Sequence, residues 1–131
     1  MNAQQKQELV NYRLGKAKET LADIDTLLQN EMWNMAVNRL YYSCFYAVTA
    51  LLANIDVFTK THTGTRQMFG LHFIKEGKIT QESSIFYSEI FDKRQKGDYE
   101  DFLDFDEDDV VILLEPAKKL INEIEFIIVQ R

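Results

Sequence analysis

Three short stretches of this chain carry residue types that can do chemistry. Arg39 sits within the most apolar helical stretch, Trp33 to Ala53 (WNMAVNRLYYSCFYAVTALLA). A guanidinium cannot shed its proton, and burying it unpaired costs several kcal/mol, so it needs an acidic partner or a bound anion. Lys60-Thr61-His62-Thr63-Gly64 followed by Arg66 offers backbone donors at a helix start beside three side chains that can be cationic, a phosphate cradle or an ordinary helix cap. Arg94 with Asp98 and Tyr99 in RQKGDYED joins a cation to carboxylates across a glycine. Its plain reading is a cation on a helix C-terminus followed by a tight turn.

Tyr41, Tyr42 and Tyr46 surround Arg39 in sequence. They read as core residues whose hydroxyls reach polar partners, with base stacking as the alternative. Between Asp98 and Asp109 eight of twelve residues are acidic. This segment is the expected counter-charge to Arg39. There is no Asp-x-Asp-x-Asp-Gly loop, Glu-x-x-His pair or cysteine cluster, so neither a metal nor another cofactor is expected.

These groups must be positioned by helices. Val10, Leu14, Ala17, Leu21, Ile24 and Leu28 recur at three- and four-residue spacing and predict one amphipathic first helix. The Trp33–Ala53 stretch is apolar on several sides, as a surrounded central helix would be. A third helix is expected over 63–76 with Met68, Phe69, Leu71, Phe73 and Ile74 inward and Gly77 as its stop. A fourth is expected over 81–96, capped by Thr80 or Ser83, with Ile85, Phe86, Ile90 and Phe91 inward and Gly97 ending it. The last helix starts near Asp106, carries Val110, Leu114, Ala117, Ile121, Ile124 and Ile128 on one face, and should kink or break at Pro116. The expected fold is all-α, an antiparallel four- to five-helix up-and-down bundle in a single domain over 1–131.

A chain of 131 residues has room for one core, and 46% hydrophobic with 27% charged residues is a globular balance. The net charge of -6 argues against a broad nucleic-acid surface, so any RNA contact must be local. The uncharged run Leu40 to Ile55 is shorter than the roughly 20 residues of a membrane span, and no secretion signal opens the chain. With one cysteine, Cys44, on an apolar face, a cytoplasmic location is expected. Phe126-Ile127-Ile128-Val129 offers more apolar surface than one bundle face covers, which suggests a homodimer contact.

Ala36-Val37-Asn38-Arg39-Leu40-Tyr41-Tyr42 with Phe45, Lys60-Thr61-His62 with Gly64, Phe73-Ile74-Lys75 before Gly77, and Arg94 with Asp98-Tyr99 follow one another in an order and spacing that resembles the HEPN domain superfamily. The likeness is to its small, stand-alone prokaryotic branch and spans nearly the whole chain. It implies a helical bundle that commonly dimerises, often a metal-independent endoribonuclease, and often one half of a toxin and antitoxin pair with a minimal nucleotidyltransferase. The motif of that family is Arg, then four to six residues, then His. Arg94 matches the arginine, but Tyr99, Glu100 and Asp101 stand where the histidine should be. The resemblance therefore implies a non-catalytic or weakly catalytic dimeric module that binds a protein partner, a nucleotide or an RNA phosphate near Arg39, Lys60, His62 and Arg94. The alternatives are an endoribonuclease toxin using His62 as its acid or base, and a purely structural helical interaction protein.

Overall fold

The computed structural model describes residues 1–101 and 103–130. Along the chain lie α1 (Ala3–Ala22), α2 (Ile24–Gln29), α3 (Trp33–Asn54), α4 (His62–Phe69) with a wider π turn over Gly70–Ile74, α5 (Gln81–Tyr99) and α6 (Glu107–Val129). They form an all-α, antiparallel up-and-down bundle. The expected domain over 1–131 includes positions 102 and 131, which lie outside the described residues.

The centre is α3. Ala36, Val37, Leu40, Tyr41, Cys44, Ala47, Val48, Ala50, Leu51, Leu52 and Ala53 are all buried, because α1, α5 and α6 pack around it. A helix whose apolar residues run around most of its circumference is stable only when so enclosed. Burying each of its leucines is worth roughly 1.5–3 kcal/mol. Burial also pushes the Cys44 thiol up to about 12, so it stays protonated and inert at neutral pH. Asn38, Arg39, Tyr42, Phe45 and Tyr46 are only partly buried and form the one flank of α3 that its neighbours leave open. Among the described residues no helix is long and apolar enough to cross a membrane.

The first amphipathic stripe is divided. α1 stops at Asp23, whose N–H returns to the Glu19 and Thr20 carbonyls, and α2 resumes at Ile24. The stripe survives, with Val10, Leu14, Ala17 and Ile24 buried on the same core. The third helix widens after Phe69 into the π turn. Phe69 and Phe73 are both buried, whereas Leu71, expected inward, is exposed. Gly77 ends this segment with φ of 71°, a conformation glycine adopts without steric cost, while Lys78 N–H reaches the Phe73 carbonyl at 2.8 Å.

Thr80 caps α5, accepting the Ser83 N–H at 3.2 Å. Glu123 of α6 binds the backbone N–H and hydroxyl of Thr80 and the hydroxyl of Ser83, tying this helix start to α6. Ile85, expected inward, is 52% exposed, and Tyr87 takes its place beside Phe86, Ile90 and Phe91. The inward face repeats from Ser83 in steps of three and four, and position 85 falls between.

Gly97 does not end α5, which continues to Tyr99. The glycine is needed for space. A Cβ there would lie 2.7 Å from the Phe105 ring, and Phe105 is held by its N–H to Asn34 Oδ1 at 2.8 Å. α6 opens with a reciprocal cap between Asp106 and Asp109 and runs through Pro116 as one helix. The proline removes the N–H that would meet the Ile112 carbonyl, and Ile112 is itself exposed, so water can serve that group. At its far end Phe126 and Val129 are exposed and Ile128 is buried.

Gly97→Ala should destabilise the chain by about 1–2 kcal/mol, because overpacking against Phe105 outweighs the better helix propensity of alanine. Urea unfolding checks this. An unchanged or higher midpoint would mean that the ring moves aside freely.

Candidate functional site

Where the open flank of α3 meets the end of α5 and the start of α4, one connected set of polar groups assembles. Arg94, a turn and a half from the end of α5, points back to α3. Its Nη2 donates to the Tyr42 hydroxyl at 3.2 Å. Its Nε lies 2.9 Å from Asp98 Oδ2, close enough for an ion pair although the N–H does not point along that line. The guanidinium carbon sits 5.4 Å from the ring centres of Tyr41 and Tyr42 and 5.7 Å from that of Tyr99. Three aromatic rings and one carboxylate thus hold a cation whose side chain is only 14% exposed.

Asp98 has a second partner across the helix interface, the Asn38 amide, at 3.1 and 3.4 Å. The oxygen of that amide in turn accepts from Arg39 Nε at 3.2 Å and Nη2 at 3.0 Å. Arg39 also lies over the Tyr42 ring at 5.2 Å. The expectation that Arg39 is buried and neutralised by the acidic segment is therefore corrected. It is partly exposed on the open flank, and among the described residues no carboxylate lies within ion-pair distance of it. Arg94 occupies the largely enclosed, acid-paired position instead.

His62 enters from the first turn of α4. Its Nδ1 is 2.8 Å from the Tyr41 hydroxyl, and its ring packs 4.5 Å from Phe45. Burial, then the nearby Arg94 charge, lowers its pKa below the ordinary value. Burial lifts the Tyr41 phenol to about 12. A protonated phenol facing a neutral imidazole is best served by O–H donating to Nδ1, which leaves the ring proton on Nε2. In that form His62 is a hydrogen-bond donor suited to an anion rather than a base.

The other predicted residues divide. Lys60 is exposed, and among the described residues no carboxylate lies within ion-pair distance of it. Thr61 caps α4 by accepting the Gly64 N–H at 2.8 Å, so this donor of the expected cradle is occupied by the chain itself. Arg66 turns away, 3.8 Å from Asp92 and 4.3 Å over the Phe91 ring. Tyr99 is 72% exposed at the edge of the Arg94 cluster. The structure thus brings together Arg39, His62, Arg94, Asp98 and Tyr99, whereas the contacts of Arg66 are with Asp92 and Phe91. Asn38 is a contributor that the site assignment from sequence missed, while Tyr41 and Tyr42, expected as core residues whose hydroxyls reach polar partners, supply those hydroxyls to His62 and Arg94. Their signal was polar groups recurring among the apolar residues of α3 (Asn38, Tyr41, Tyr42). Among the described residues, no three His, Cys, Asp or Glu side chains converge to hold a metal ion.

The lowered His62 pKa has a consequence for stability. In the unfolded chain the imidazole takes up its proton near the ordinary value of about 6.5, whereas the folded protein binds it only at lower pH. Stability from this residue should fall as pH drops through the ordinary histidine range and level off once the folded ring is protonated too. Urea midpoints across that range in wild type and His62→Gln should show this component lost in the variant. Identical pH profiles would contradict it.

The family model of the HEPN domain matches residues 10–127. A UPF0332 protein of Thermotoga maritima is 36% identical over 124 residues, covering 95% of this chain and 94% of that protein. A protein of Methanocaldococcus jannaschii named "Putative toxin MJ0142" is 32% identical over 108 residues, covering 82% of this chain and 74% of its own length. A second protein of that organism, "Putative toxin MJ0605", is 35% identical over 63% of this chain and 62% of its own. With the helical bundle and the matched segment agreeing over nearly all of its length, this chain belongs to the HEPN domain family.

Proposed function

We propose that this protein is a toxin-like HEPN module, non-catalytic or weakly catalytic, that binds an RNA or nucleotide phosphate on the face formed by Arg39, His62 and Arg94. One observation carries the reading. Two arginines and a neutral histidine share a single hydrogen-bonded and aromatic cluster on the open flank of α3, in a chain that is otherwise acidic. Among the described residues no carboxylate lies within ion-pair distance of Arg39, and an anion would complete its coordination. Asp98 already offsets the Arg94 charge, which leaves Arg39 as the main cation for a phosphate and less charge to stabilise a cleavage transition state. A His62 ring protonated on Nε2 donates to a phosphate rather than taking a proton.

The toxin names of the two Methanocaldococcus jannaschii relatives support the toxin-like role. On this reading the chain acts in the cytoplasm as a homodimer, with the exposed Phe126 and Val129 available to the contact, and a nucleotidyltransferase as its protein partner. A second reading, the metal-independent ribonuclease, is favoured by the Tyr41–His62 bond, which brings a histidine beside Arg94 although the linear motif lacks one.

Labelled single-stranded RNA, followed by fluorescence anisotropy and on a gel in the presence of EDTA, separates the two. The expected result is binding that Arg39→Gln weakens several-fold, with the salt slope reduced by about 0.7, and RNA that stays intact. Cleavage abolished by both His62→Ala and Arg94→Ala would establish the ribonuclease. Absence of any RNA or nucleotide binding would overturn the proposed function.

A further inference from the structure

A groove of about 300 Å³ that shares Phe45 with the His62 site is lined by Tyr12, Arg13 and Lys16 of α1, Phe45, Tyr46 and Thr49 of α3, and Thr59 of the following connection. We propose that this groove is a base-stacking subsite for single-stranded RNA whose adjoining phosphate is held on the Arg94 and His62 face. The proposal rests on the reading of that face as an RNA site and extends it to a substrate class.

Charge selects the occupant. Among the described residues no acidic side chain lines the groove, although the chain as a whole carries -6. Arg13 donates only a long bond of 3.3 Å to the Thr49 carbonyl, and neither Arg13 nor Lys16 has a carboxylate within ion-pair distance among the described residues. Burial lowers the Arg13 pKa, as expected for a guanidinium partly withdrawn from water with no compensating anion. Two uncompensated cations side by side on an acidic protein favour a polyanion.

The aromatic lining narrows the class. Tyr12 is 65% exposed, a large ring left to solvent beside two cations. Phe45 and Tyr46 are half-buried, with ring centres 6.2 Å apart. Inorganic phosphate has no use for such walls, whereas a nucleobase stacks on them whatever its identity. The volume is at the lower end of small-ligand sites, enough for one splayed nucleotide and too narrow for a duplex. Phe45 is shared, since its ring also packs 4.5 Å from His62. The groove and the His62 site therefore meet at one shared ring, so that a base in the first and a phosphate at the second can belong to one strand.

The test uses the full chain and 5′-labelled oligouridine, with anisotropy measured over a range of salt and gel-filtration mass recorded for each variant. Tyr12→Ala removes an exposed ring and leaves the core untouched, and it should weaken binding about five- to hundredfold. Arg13→Gln combined with Lys16→Gln should lower the salt slope by roughly 1.4. If these variants bind as wild type does while Arg94→Gln binds more weakly, the groove is no subsite and the reading of the Arg94 face survives. Weakening by the groove variants with Arg94→Gln unaffected would keep the groove and remove that face from RNA recognition. A wild-type chain that binds no oligouridine overturns both. A change of mass on Tyr12→Ala with RNA affinity unchanged would make the groove a contact between copies and overturn the proposal.

Discussion

The placement of Arg94 governs the rest of the site. Its charge is permanent, its side chain is largely out of water, and the protein answers it with the Asp98 carboxylate, the Tyr42 hydroxyl and the faces of three tyrosine rings. Removing one partner of such a pair costs more than the pair itself contributes, because a charge is left desolvated. That asymmetry holds α5 against α3 at this point. It also fixes Asp98 where Asn38 can bind it, and Asn38 where it can hold Arg39.

The open flank of α3 follows from the same packing. α1, α5 and α6 enclose the small and aliphatic residues of that helix, and the tyrosines at its margin bury their rings while turning their hydroxyls to polar partners. Tyr41 shows the arrangement best. Its ring is fully buried against Phe45, Phe91 and Tyr87, and its hydroxyl reaches His62. The core and the site are therefore one construction, in which hydrophobic packing sets the positions and the polar tips define the chemistry.

The helices and their faces were largely legible from the sequence, because three- and four-residue spacing reports which side is buried. The spacing failed where another force decided. Gly97 reads as a stop, but its missing side chain makes room for Phe105, and α5 runs two residues further. That extension matters for the site. Arg94 and Asp98 are four apart, the spacing of a helical ion pair, and the pairing was readable once the helix continued through Gly97. Arg39 attracted the expected counter-charge because its neighbours in sequence are apolar, yet a helix of 22 residues can leave one flank uncovered, and that is where it lies. The bond between Tyr41 and His62 joins residues 21 apart through the packing of α4 on α3, and no local pattern announces it.

The central claim is that Arg94 and His62, apart in sequence, belong to one electrostatic unit. NMR titration of the His62 ring protons in wild type and in Arg94→Gln tests it most directly. The account predicts a wild-type midpoint below the ordinary histidine value that rises when the arginine charge is removed. A midpoint at the ordinary value, unmoved by the substitution, would contradict it.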